Sequence, residues 1–150
     1  MSAPRFETSG LTRAALRGGR FVGADGVYAR TARTLEQLRA LASQVHAPSF
    51  EVVIGDNGST DGTREAALQE PVPFTVRVVD ASGPSSASHG RNMAARAARG
   101  RILLFCDADD LVGPAWVRSL TDAVADDPSR IATGVLHHGR FNSPEVLAAY

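Results

Sequence analysis

Three short apolar runs, each handing over to a polar turn and then to a helical pattern, constrain this chain more than any other feature. They are "FEVVIGD" at 50–56, "FTVRVVD" at 74–80 and "ILLFC" at 102–106. Apolar residues follow one another in these runs instead of alternating with polar ones, as in strands buried on both faces. Helical stretches separate them. Leu35, Leu38, Leu41, Ala42 and Val45 fall at helical spacing from Thr34, and Pro48 closes that segment. Gly58, Asp61 and Gly62 turn the chain into a second helix over roughly 63–69, and "RNMAARAA" continues from the polar loop "ASGPSSASHG" as a third. Gly113-Pro114 opens a fourth, with Val117, Leu120 and Val124 on one face. From the first run onward the order is β-α-β-α-β-α, which predicts an α/β fold with a Rossmann-like, mostly parallel sheet and helices on both faces.

The two ends of the chain carry weaker patterns. In residues 1–30 the only strand-like piece is "RFVGADGVY", and its glycines interrupt it. "RIATGVLHHGRFNSPEVLAAY", at the other end, reads as one more strand and the start of a helix. No internal repeat, low-complexity segment or linker divides the chain, so a single domain over 1–150 is expected.

Composition narrows the function. With 43% hydrophobic and 21% charged residues, the chain is of an ordinary globular kind. A formal net charge of zero offers no electrostatic footprint for nucleic acid or an anionic membrane. All 16 basic residues are Arg, which excludes a P-loop ATPase and any Schiff-base lysine. The single cysteine, Cys106, rules out a disulfide framework or Cys-based zinc site within the chain and is expected to be a buried packing residue. No run is long enough for a transmembrane helix and no secretion signal is visible, so the expected location is cytoplasmic.

The end of the third apolar run poses the chemical question. Ile102 to Cys106 lead straight into Asp107, Asp109 and Asp110, and the next cation along the chain is Arg118. Two carboxylates about 4 Å apart repel by roughly 4 kcal/mol at a partly buried site. Without a residue reaching in from elsewhere, the cluster is expected to need a bound cation. In extended chain, Asp107 and Asp109 face the same way, whereas Asp110 points elsewhere unless a turn redirects it. A calcium-binding helix-loop-helix is excluded, because Leu111, Val112 and Arg118 stand at the fifth, sixth and twelfth positions counted from Asp107. An aspartyl-nucleophile phosphatase of the haloacid dehalogenase type shares the two aspartates two apart, but it asks for a later lysine that this chain lacks. The remaining candidate is a magnesium or manganese site in which carboxylate oxygens share the ion with the phosphates of a nucleotide diphosphate.

A second acidic motif, "GDNGSTDGT" at 55–63, lies at the end of the first apolar run. Ligands of open parallel sheets bind beyond the carboxyl ends of the strands, where both motifs fall. For this one alone, turn chemistry is an equal alternative, with Asn57-Gly58 as the turn and Asp61 as a helix cap.

Taken together, "FEVVIGDNGSTDGT", "GRNMAARAARGRILLFCDADD" and "GPAWV" resemble the family 2 glycosyltransferases of the GT-A fold, in motif order and spacing, over roughly residues 31–126. The resemblance implies that Asp56 hydrogen-bonds the nucleobase of a sugar nucleotide, with Asn57 beside it. It also implies that Arg91 contacts the nucleotide, that Asp107 lies near the ribose or sugar and shares in metal binding, and that Asp109 is the principal metal ligand. Ser59 and Asn92 are secondary candidates that would serve equally as helix or turn caps. A divalent cation, Mg or Mn, a nucleotide-diphosphate sugar and an acceptor of unspecified kind are the implied partners. The sequence departs from the family at the first strand, where "RFVGADGVYART" replaces an uninterrupted run. The family's general base lies after the D-x-D motif, in a region that this chain is expected to lack, so a second chain completing the domain is a further possible partner. Glu145, after Ser143-Pro144, reads as a first-turn helix acid, and adjacent His137 and His138 on a strand would point to opposite faces. The expected activity is metal-assisted transfer of a sugar to an acceptor hydroxyl; the alternative is a nucleotide-sugar-binding module without catalysis.

Overall fold

The computed structural model describes residues 31–83, 86–108, 110–127 and 129–135, together with the backbone path of 20–27. Four strands, β1 (Arg20–Val27), β2 (Phe50–Asp56), β3 (Thr75–Asp80) and β4 (Leu103–Cys106), alternate with four helices. The helices are α1 (Thr31–Ala42), α2 (Thr63–Gln69), α3 (Ala87–Ala97) and α4 (Trp116–Val124). All the strand pairs are parallel and the sheet order is β3-β2-β1-β4. Successive strands therefore march outward from β1 to β3, and the chain then crosses back to lay β4 on the other side of β1.

The layering follows from the strands' period of two. Val52 and Ile54 of β2 and Leu104 and Cys106 of β4 pack with Leu38, Leu41, Ala67 and Val117, which places α1, α2 and α4 on one face. Val53 points the opposite way and packs with Ala94 and Ala98 at α3. Right-handed crossovers dictate the division of α1 and α2 from α3, because reversing the direction of travel across the sheet moves the connecting helix to the other face. The α/β fold with helices on both faces is thus the one expected, and Cys106 is buried in the core as expected. No helix among the described residues is long and apolar enough to cross a membrane.

Three elements differ from their sequence patterns. "RFVGADGV" is no interrupted fragment but an inner strand, β1, paired on both sides. Its ladder with β2 runs Val22↔Val52 and Ala24↔Ile54 and then resumes at Val27↔Asp56, so β1 carries one extra residue in between. A β-bulge at this step absorbs Asp25 and Gly26, and backbone pairing on both edges overrides the weak strand propensity of that run.

Helix α1 starts at Thr31 and ends at Ala42, about one turn earlier than the spacing through Val45 implies. The amide of Val45 is taken instead by the Pro114 carbonyl at 2.7 Å. Helix α3 begins at Ala87, inside the expected loop, because extended Ser86 caps it: the Ser86 hydroxyl accepts the amide hydrogen of His89. Residues 130–135 form no strand; the rest of that expected strand and helix lies outside the described residues.

Candidate functional site

The strand order reverses between β1 and β4, and in open parallel sheets a crevice forms at the carboxyl ends of strands beside such a reversal. Asp56 ends β2 on one side of β1, and Asp107 follows β4 directly on the other. Two strand spacings, about 10 Å, separate β2 from β4.

Asp56 is only 6% exposed. Its Oδ1 accepts the Ser59 amide at 2.9 Å, and its backbone carbonyl accepts the Ala81 amide at 2.7 Å, so the residue fixes both the β2–α2 turn and the start of the loop after β3. Among the described residues Oδ2 accepts no further hydrogen bond. The turn itself needs Gly58 and Gly62, whose φ angles of 82° and 81° lie in the left-handed region. Asn57 is partly exposed in this turn.

Asp61 does the turn chemistry that the motif allows. Its Oδ1 accepts the amide and hydroxyl of Thr63, and its Oδ2 accepts the hydroxyl of Thr31 at 2.9 Å, which ties α2 to the first residue of α1. The Thr63 hydroxyl, opposed by desolvation and aided by Thr31, holds the Asp61 carboxyl down to about 2. Gly62 rather than Asp61 is the residue that precedes α2.

Arg91 reaches the acidic cluster from the opposite face of the sheet. Its Nη2 lies 2.8 Å from Asp107 Oδ1, with the side chains 38% and 47% exposed. A residue does reach the cluster from elsewhere in the chain, the case the sequence left open: the partners stand sixteen positions apart, and the fold closes that gap. The approach depends on Gly55, because a Cβ there would collide with the Gly90 carbonyl oxygen and lie 3.0 Å from its Cα. Only glycine lets the first turn of α3 settle on β2, and Arg91 follows Gly90.

A turn also redirects Asp110. The Asp110 amide donates to the Asp107 carbonyl at 3.1 Å, and the Asp110 carboxylate accepts the Asp107 amide at 3.3 Å. Asp109, the expected principal metal ligand, lies outside the described residues, as do Glu145, His137 and His138. Among the described residues no group of three or more His, Cys, Asp or Glu gathers to hold a metal. Asn92 sits exposed one position after Arg91 in α3. Asp80, which the sequence reading did not single out, ends β3 in register with Asp56. The Ser82 hydroxyl and amide hold its carboxyl below the usual range. Its signal was the shared ending of "FEVVIGD" and "FTVRVVD".

Comparison with known proteins gives this arrangement a context. Residues 27–146 match the sequence model of the family described as Glycosyl transferase family 2. Validoxylamine A glucosyltransferase of Streptomyces hygroscopicus subsp. limoneus is 37% identical over 111 residues, covering 71% of this chain and 24% of its own length. The Bacillus subtilis glycosyltransferase YfnE is 31% identical over 108 residues, covering 72% and 28%. The chain thus spans about a quarter of the length of these relatives. Among solved structures, S. aureus TarS 1-349 in complex with UDP superposes with a TM-score of 0.56 at 25% identity, over 71% of this chain and 32% of that one.

Proposed function

The chain belongs to glycosyl transferase family 2, and from that premise we propose that it binds a nucleotide-diphosphate sugar at the carboxyl edge of its sheet, for transfer of the sugar to an acceptor hydroxyl. The observation that carries the reading is the meeting of Arg91 and Asp107 beyond β4, two strand spacings from the buried carboxylate of Asp56 with β1 between them. The UDP complex of the structurally similar TarS supports a nucleotide as the ligand.

Each described residue has a role that suits its chemistry. A carboxylate is acceptor-only, so Asp56 Oδ2 is suited to an N–H of a nucleobase, with Asn57 beside it. Arg91 carries a fixed planar charge suited to base or phosphate. Once a ligand competes for it, Arg91 can exchange Asp107 for the nucleotide, leaving the carboxylate to a metal ion. Asp107 with Asp109 supplies the hard oxygen donors that magnesium or manganese prefers, and the ion would stabilise negative charge on the departing diphosphate. Asp110 serves the turn, since its carboxylate is folded back on the Asp107 amide.

Calorimetric titration of the chain with UDP and GDP, with and without manganese, tests the reading. Metal-dependent binding that falls at least tenfold, about 1.4 kcal/mol, in Asp56→Ala is the expected result. Unchanged binding in that variant removes Asp56 from the site. Assay of nucleotide release from a panel of sugar donors with acceptors then separates a transferase from a module that binds without turnover.

A further inference from the structure

We propose that Gln37 is a positioning residue for the acidic turn, a role that rests on reading Asp107 as part of the metal and diphosphate site. Gln37 is 1% exposed on the buried side of α1, which also carries Thr34, Leu38 and Leu41. Its Oε1 accepts the Val112 amide at 3.1 Å across 75 residues of sequence. Its Nε2 is buried and has no hydrogen-bond partner among the described residues. An amide placed here leaves a desolvated donor unmet, which an apolar side chain of the same size would not. What the glutamine provides in return is one fixed point in the chain, two residues beyond Asp110.

That point completes a frame. The acidic turn is anchored on entry by the ladder of β4, where Cys106 pairs with Ala24. It is closed on itself by the two hydrogen bonds between Asp107 and Asp110, and it is anchored on exit by Gln37. Metal coordination tolerates errors of only about 0.2 Å in ligand position, so a loop fixed at both ends holds its carboxylates ready while a loop fixed at one end does not.

Gln44 provides an internal comparison. It too bonds the segment after the turn, but farther along: Oε1 accepts the Val117 amide at 2.9 Å and Nε2 donates to the Gly113 carbonyl at 2.7 Å. Val117 stands in the first turn of α4, where amides have no intrahelical acceptor, and Ala115 at the cap position offers no side-chain bond. Gln44 is therefore a helix cap supplied from a distance, and its contribution is to stability.

The experiment compares Gln37→Met and Gln44→Met with the parent chain by UDP titration with and without manganese, beside melting curves. Gln37→Met is expected to reduce the gain in UDP affinity that manganese confers by about tenfold, the scale of lost outer support at metal sites, with metal-free UDP affinity unchanged. Gln44→Met is expected to lower Tm while keeping that gain within about twofold. A folded Gln37→Met that retains the full manganese gain overturns the proposal, as does a loss that simply follows Tm in both variants.

Amide exchange by NMR is read without ligand. In the parent, Val112 is expected to be protected, and in Gln37→Met exchange of residues 107–112 is expected to accelerate while β2 is unchanged. Unprotected Val112 in the parent, or unaltered exchange in the variant, overturns the positioning role. Should the parent show no manganese gain while exchange behaves as expected, the metal reading fails and the anchoring of the turn stands.

Discussion

The turn after β2 and the turn after β4 occupy corresponding places at the carboxyl edge of one sheet, yet they are held in opposite ways. The first is built from its own residues: Asp56 takes the Ser59 amide, Asp61 takes Thr63, and Gly58 and Gly62 supply the left-handed steps. The second has two local bonds between Asp107 and Asp110, but it is held in place from elsewhere, by Arg91 on one side of the sheet and by Gln37 on the other. A turn closed by local bonds forms wherever its sequence stands. One anchored by distant groups is fixed in place only once helices have docked on both faces of the sheet.

The largest test of that contrast is a change that undocks α3. Gly55→Ala places a Cβ against the Gly90 backbone, where no flexible side chain can yield. Overpacking of this kind costs about 1–3 kcal/mol. Because Arg91 rides on the same turn of α3, UDP affinity should fall together with Tm. A melting curve and a UDP titration equal to the parent's would show that the close approach does not exist. The next effect in size concerns the start of α3. Ser86→Ala removes the hydroxyl that caps His89 and should lower stability by about 1 kcal/mol, read by urea denaturation.

How much of this was legible in the sequence follows the same division. Strands β2, β3 and β4 and helix α2 lie close to where apolar runs and turn residues put them, because the signal for each sits within its own residues. Asp56 and Asp107 could be placed at strand ends for that reason. Strand β1 was obscured because Gly23, Asp25 and Gly26 resemble breakers: Gly23 is paired on both edges by β2 and β4, and Asp25 and Gly26 fall in the bulge. The onset of α3 hid in a polar loop whose Ser86 was a readable cap. Nothing local pairs Arg91 with Asp107 or sends Gln37 to Val112; those bonds are consequences of strand order. The resemblance brought Arg91 and Asp107 forward as nucleotide contacts, whereas their bond to each other came only with the fold.

Arg91→Met sharpens the contrast at smaller scale. The pair is too exposed to stabilise the fold by more than about 1 kcal/mol, so the melting curve should barely move. Binding should move in two directions. Manganese affinity without nucleotide should rise a few-fold, on the order of 0.5–1 kcal/mol, because a competing cation leaves Asp107, while UDP affinity falls. Parallel loss of both would mean that Arg91 supports the turn instead of exchanging partners.

The smallest effect belongs to the self-contained turn and is read by pH. The Asp61 carboxyl is held at about 2, below its ordinary value of 3.8, by Thr63 and Thr31. The folded state thus binds this proton less readily than the unfolded chain does, and Asp61 adds to stability above pH 3.8. That contribution is lost progressively as pH falls from there toward 2. Asp61→Asn should flatten this part of the stability curve without altering metal-dependent UDP affinity at neutral pH, since the second turn does not lean on Asp61. Melting curves between pH 2 and 5 that are parallel for parent and variant would show that Asp61 does not hold the turn through its charged form. A loss of the manganese gain in Asp61→Asn would show that the two turns are coupled through α1, which carries both Thr31 and Gln37.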